Sequence, residues 1–225
     1  MITPDYIERS NRKTLSLSIL KDGKIVVKAP LKMKDSVVYD FVLSKQNWIE
    51  EKLEFIHENR KQFDDVVRYE RFLLYGNRYT PIYSDVKKIE TDDKFQLIIP
   101  RKTDKAKVLK TIKSWYKKCA KEVLGKRLKF IENRIRIQST GLRIGDSKGR
   151  WGSCNSRGAI CFNFRVVMLP PDVIDYVIVH ELCHIVEMNH SKKFWALVEK
   201  FLPSYQKLKN KIKDYGFLLS LLNEI

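Results

Sequence analysis

The segment VIDYVIVHELCHIVE, residues 173–187, is apolar on nearly every face of a helix until it reaches two histidines and a glutamate. A helix apolar all round belongs at the centre of a packed domain. Charged or polar groups set into it cost free energy unless they are satisfied or serve a purpose. The HELCH run fits H-E-x-x-H, in which positions i and i+4 share one helical face. The imidazoles of His180 and His184 can therefore reach one metal ion, and Glu181 is angled toward a water on it. Imidazole suits zinc, and a site with three protein ligands keeps a position open for chemistry. The expected reaction is hydrolysis by a zinc-bound water that Glu181 activates.

Three of the chain's four histidines fall between residues 180 and 190. His190 follows His184 at the spacing H-E-x-x-H-x₅-H, so His180, His184 and His190 are the expected ligands of one Zn²⁺ per chain. Glu187 is the alternative third ligand, because an i+3 position can face the same side as His184. His190 is preferred because imidazole is the commonest metal ligand. The spacing also fits H-E-x-x-H-x-x-G-x-x-H, but Glu187 stands where that pattern has glycine. His57, in a Lys- and Glu-rich helix end, reads as a surface residue.

Pro170-Pro171-Asp172 marks the start of the motif helix. Asn189-His190-Ser191 is a second helix start, with helices expected through FWALVEKFL and YQKLKNKIK. Upstream, TLSLSILKDGKIVVKA alternates apolar and polar residues around Asp22-Gly23, which predicts a hairpin. A helical pattern runs from Asp35-Ser36 to about Gln62, with Val38, Phe41, Val42, Trp48, Ile49, Leu53 and Ile56 as its apolar positions. Residues 71–99 read as β-rich, with a turn at Gly76-Asn77. From Thr103 to about Asn133 a helix places Val108, Ile112, Trp115, Cys119 and Val123 on one face. Strands are expected at IRIQST, at LRIG and over GAICFNFRVVML, after a Gly-rich turn at KGRWGSC. The fold class is α+β. Residues 1–100 form an N-terminal hairpin-rich α/β region built on an antiparallel sheet, and residues 101–225 the hydrolase region, the two being separate or one continuous domain.

The net charge of +17 is concentrated: residues 101–150 hold 17 Lys or Arg against four Asp or Glu. Such a segment can attract a nucleotide, nucleic acid or another acidic partner, or simply be a solvated helix face. No apolar run reaches the ~20 residues of a membrane span, and the first residues lack the apolar stretch of a secretory signal. Cys119, Cys154, Cys161 and Cys183 form no C-x-x-C pair or disulfide framework, which fits a reducing cytoplasm.

The run RWGSCNSRGAICFNFRVVMLPPDVIDYVIVHELCHIVEMNHSKKFW resembles the YgjP-like metallopeptidase family. The likeness extends to RKTLSLSILKDGKIVVKAP, to the helix with Asn47-Trp48-Ile49 and to LLYGNRY, nearly the whole chain. It implies zinc on His180, His184 and His190, a catalytic Glu181, and a zincin fold with the active-site helix under a small sheet. The family in turn resembles the SprT-like and WLM groups, zincin proteases linked to DNA-bound protein substrates. A sheet strand usually borders the cleft in such folds and can pair with an extended peptide. Trp151–Cys154 and residues 159–167 are the candidates here, although W-G-S-C also reads as a structural turn in which Gly152 permits close approach. Cys154 is a conceivable metal mask. Cys183, Phe194 and Trp195 read as core residues, Tyr205 as a packing residue or an oxyanion donor, and Arg150 as exposed or anion-binding.

Three functions follow. The first is a metallopeptidase acting on a peptide or protein. The second is a nucleotide triphosphate pyrophosphohydrolase on the same metal, although no Walker-type loop is present. The third is a nucleic-acid-associated module, or a protease of DNA-bound proteins, using the basic segment 101–150. No zinc finger or helix-turn-helix signature supports the last.

Overall fold

Alternating Ser-Leu-Ser-Ile and a run of β-branched residues give strands β2 (Ser16–Ile19) and β3 (Ile25–Pro30), and Tyr6–Ser10 supplies β1. The computed structural model describes residues 2–20, 23–101 and 104–222. β2 and β3 form the expected hairpin, with Leu17 opposite Val27 and Ile19 opposite Ile25. Gly23 takes φ +90° in its turn. Asp22, the other expected turn residue, and Thr103, the expected start of the later helix, lie outside the described residues. β1 adds parallel to β3, Ile7 facing Val27, so this sheet is mixed rather than antiparallel.

The helical pattern after it is two helices, α1 (Asp35–Leu43) and α2 (Gln46–Gln62). They part where Ser44 Oγ donates to the Phe41 carbonyl at 2.7 Å. Val38, Val42 and Ile49 are buried against Ile25, Val27 and Ala29. Trp48, expected inside, is 44% exposed, because Ile49 takes the buried position beside it.

Packing divides the chain into Met1–Asp64 and Asp65–Ile225. The division falls after residue 64, so the strands between residues 72 and 100 belong with the second unit. α3 (Asp64–Val67) straddles the division, and β4 (Phe72–Leu74), β5 (Asn77–Ser84), β6 (Glu90–Thr91) and β7 (Gln96–Pro100) follow. Their sheet order is β4-β5-β7-β6, with β5 and β7 parallel and the other pairs antiparallel. The first turn sits one residue earlier than expected. Tyr75 and Gly76 both have positive φ, as a two-residue hairpin turn requires.

α4 (Lys105–Ile135) starts at Asp104, whose carboxylate accepts from the Ala106 N–H at 2.9 Å. Its buried stripe is Val108, Ile112, Tyr116, Ala120, Leu124 and Leu128, a strict i+4 series. Trp115, Cys119 and Val123 flank that stripe half-buried, one residue out of phase with the expectation. IRIQST forms no strand. Arg136 turns left-handed at φ +59°, and the buried Glu132 carboxylate takes the Ser139 N–H at 2.9 Å, leaving that donor unavailable to a ladder.

The last sheet holds β8 (Gly141–Gly145), β9 (Gly152–Cys154) and β10 (Ala159–Asn163), in the order β8-β10-β9. β10 is central, parallel to β8 and antiparallel to β9, with Gly152 opposite Phe162. The strand expected through 169 stops at Asn163. The Asn163 Oδ1 accepts from the Arg165 N–H at 3.1 Å and caps a 3-10 turn over Phe164–Met168. That turn carries the fully buried Arg165 guanidinium to Asp146 at 2.6 Å and to the Leu221 carbonyl at 2.7 Å. α5 (Pro171–Val186) follows, then α6 (Lys192–Phe201), α7 (Tyr205–Asp214) and a 3-10 turn at Gly216–Ser220. α5 packs against β9, α4, α6 and α7, so the all-round apolar helix is central as expected, lying under the small sheet. No helix among the described residues is long and apolar enough to cross a membrane.

Candidate metal centre

α5 is built to start and stop sharply. Pro171 stands in its first turn, where a missing N–H costs nothing, and the Asp172 carboxylate accepts from the Val173 N–H at 3.0 Å. The helix ends at Val186, and Glu187 leaves it in extended conformation, φ −134°. This exit needs no glycine, which explains how the chain turns with Glu187 at that position. A tight bend follows, with the Ser191 N–H on the Asn189 carbonyl at 2.7 Å, and Ser191 then caps α6 through the Phe194 N–H at 3.3 Å. His190 is thereby folded back over the last turns of α5.

The three imidazoles converge. Nε2 of His190 and Nε2 of His180 are 3.1 Å apart. Ligand nitrogens of His180, His184 and His190 all lie within 4.8 Å of one another, so the three can hold a metal ion. Two nitrogens on tetrahedral corners at the ~2.0–2.1 Å zinc–nitrogen distance would stand about 3.3 Å apart, which this pair matches closely. His184 Nδ1 donates to the Glu187 carbonyl at 3.1 Å, which orients the ring. Glu187 thus serves through its backbone, and its carboxylate is not in the cluster. His180 Nδ1 is buried and without a hydrogen-bond partner. Burial, followed by the neighbouring His184, His190 and Lys209, pushes His180 down to about 3, and burial also lowers His190. Neutral imidazoles are what a cation needs as ligands.

An aromatic brace holds the cluster. Phe194, fully buried, lies 4.4 Å from the His184 ring, 4.8 Å from His190 and 5.0 Å from His180 between centroids. Trp195 stacks on His190 at 5.7 Å and on Tyr205 at 5.5 Å. Phe194 is the core residue expected and touches every imidazole of the cluster, whereas Trp195 is only half-buried. Tyr205 is buried in this stack, away from the cleft, and its hydroxyl accepts from Gln206 at 3.2 Å.

Glu181 is 6% exposed. Burial pushes its carboxyl up to about 7, against the pull of the Arg150 guanidinium. A carboxyl poised near neutrality is suited to accept and return a proton. Its side chain lies against β9, at the bare Cα of Gly152. Beside it opens a cavity of about 450 Å³, lined on one side by Arg150 to Cys154 and on the other by Tyr176, Val177, the three histidines, Met188 and Ile212. β9 therefore borders the cleft, and residues 159–167 do not. Cys154 lines the cleft but is not one of the clustered ligands, and Cys183 is a buried core thiol that burial pushes up to about 12. Tyr176, Met188 and Ile212 escaped the sequence reading. Tyr176 looked like one more apolar-face residue, and Ile212 comes from a helix with no motif.

A family model described as YgjP-like, metallopeptidase domain, matches residues 13–215. No curated protein matches the chain. Among solved structures, the metallopeptidase zymogen of Pyrococcus abyssi abylysin shares 24% identity, with a TM-score of 0.37, over 40% of this chain and 90% of that one.

Proposed function

From the premise that the chain belongs to the YgjP-like metallopeptidase family, we propose that it hydrolyses peptide bonds with one zinc ion held by His180, His184 and His190. The observation that carries this reading is the convergence of three imidazoles beside a buried carboxylate, in a cleft bordered by a sheet edge. When bound, zinc supplies a Lewis acid that polarises a carbonyl and acidifies water.

The chain's own residues do the rest. β9 pairs only with β10 among the described residues, so its other edge can take an extended peptide as a further strand. Such pairing grips the substrate by its backbone and suits many sequences. Trp151, Val177, Met188 and Ile212 offer apolar contact to side chains on either side of the scissile bond. Glu181 accepts a proton from the attacking water and passes it to the departing amine. Its burial excludes competing solvent and keeps its proton affinity high enough for that transfer.

The test combines metal analysis with peptide hydrolysis. Wild type should carry about one zinc per chain and His190→Ala markedly less. Glu181→Gln should retain zinc and lose about 100- to 10,000-fold in kcat. Full activity in zinc-loaded Glu181→Gln would overturn the assignment of the base, and unchanged zinc in His190→Ala would overturn the ligand set. Cleavage of a nucleoside triphosphate but no peptide would replace the substrate class while keeping the centre.

A further inference from the structure

Helix α4 carries two kinds of lysine. Lys113 and Lys117 reach Asp146 at 3.0 and 3.6 Å, and Lys126 pairs with Glu122 at 3.0 Å. Lys107, Lys110 and Lys118 make no ion pair among the described residues, and neither does Lys88 from the segment before β6. These four cations line one groove of about 800 Å³ between α4 and the Lys88-Ile89 segment. Trp115 lies between Lys110 and Lys118 along the helix, half-buried in the groove wall, with Ser114 beside it. Glu122, the acid at the groove's end, pairs with Lys126 and also feels the charge of Lys118.

A solvated helix face explains scattered lysines. It does not explain four lysines without an ion pair among the described residues lining one groove around an indole. From Lys107 to Lys118 the helix advances about 16 Å. The cations therefore address a row of anions rather than a single phosphate. A flat aromatic among them offers a stacking surface, which a base has available only when it is unpaired.

We propose that this groove binds single-stranded nucleic acid, with backbone phosphates on Lys88, Lys107, Lys110 and Lys118 and a base stacked on Trp115. An acidic polypeptide would satisfy the lysines but leave the indole without a matching face. The surface is separate from the metal-cluster residues, so its occupancy does not depend on the peptidase reading.

Fluorescence anisotropy of the full chain with a labelled single-stranded DNA of about 15 nucleotides tests this. Affinity should fall steeply as salt rises from about 50 to 200 mM. Combined Lys107→Ala, Lys110→Ala and Lys118→Ala should weaken binding and flatten the log–log salt slope by about 2, near 0.7 for each lost phosphate contact. Trp115→Ala should cost about tenfold, and the wild-type indole emission should be quenched on binding. Zinc content and peptide hydrolysis of the triple-lysine variant should equal wild type, so failure here and failure at the metal centre are distinguishable. No binding at low salt, or a slope unchanged in the lysine variant, overturns the proposal. Equal affinity for a duplex together with indifference to Trp115→Ala overturns the single-strand assignment. Full competition by polyglutamate would make the groove a docking surface for acidic protein instead.

Discussion

A Cβ built on Gly152 would stand 2.5 Å from Glu181 Oε1 and 2.7 Å from its Cγ and Cδ, so the glycine on β9 and the glutamate on α5 occupy each other's space. Only a residue without a side chain lets that carboxylate lie against the strand. Gly152→Ala should displace the carboxylate by part of an ångström while leaving the imidazoles in place. The expected result is a fall in kcat of about 100-fold with zinc stoichiometry unchanged. Wild-type kcat in the alanine variant would show that Glu181 needs no such seat.

Phe194 is fully buried and touches all three imidazoles. Phe194→Ala should destabilise the fold by about 3–5 kcal/mol. It should also speed zinc loss to a chelator, because the rings lose their common backing. Urea unfolding and the rate of transfer to a colorimetric chelator would measure the two effects. A destabilised variant with wild-type transfer rate would assign Phe194 to the core alone.

Asn163 ties the approach to the cleft strand. Its Nδ2 donates to the Ser147 carbonyl at 2.6 Å and to the Arg150 carbonyl at 3.2 Å, and its own N–H donates to the Trp151 carbonyl at 2.7 Å. Asn163→Ala should cost about 1–3 kcal/mol, and should raise KM more than it lowers zinc content, because the strand proposed to grip substrate loses its tether. Peptide-hydrolysis kinetics beside metal analysis would separate these, and equal losses in both would contradict the assignment.

Asp146 meets the buried Arg165 at 2.6 Å and Lys113 at 3.0 Å. Burial pushes its carboxyl up, but hydrogen bonds from Arg165 and Lys113 outweigh that and hold it below the usual aspartate range. A depressed folded-state pKa stabilises above the unfolded value of ~3.9 and is lost as pH falls through the folded value. Asp146→Asn should therefore cost about 3 kcal/mol at neutral pH, where it strands a buried guanidinium. The gap to wild type should narrow below about pH 4. Denaturant midpoints measured across that range check the sign, and a constant gap would contradict it.

The parts that were legible in the sequence are those written as periodicity. His180 and His184 at i+4 on an apolar helix, the Ser191 cap and the β2–β3 hairpin all depend on near neighbours. What escaped depends on partners far along the chain. The stripe of α4 slips by one residue because Tyr116 donates its hydroxyl to the Leu73 carbonyl at 2.7 Å, and no local pattern encodes that bond. The strand after Asn163 breaks because Arg165 must reach Leu221, 56 residues away. Gly152 read as a residue permitting close approach, but only the fold reveals that the approaching group is Glu181.

The three candidate ligands sit within eleven consecutive residues, 180–190. A cation gripping them closes a ring of one helical turn and one bend, which costs almost no loop-closure entropy and ties no distant parts of the chain together. Glu181, by contrast, owes its position to Gly152, which lies 29 residues upstream on another element. Capture of the ion and assembly of the reactive cleft are therefore separate events with different structural demands. A molecule whose sheet has slipped or never formed can still be fully metallated, so metal content reports the local corner and not the competence of the whole.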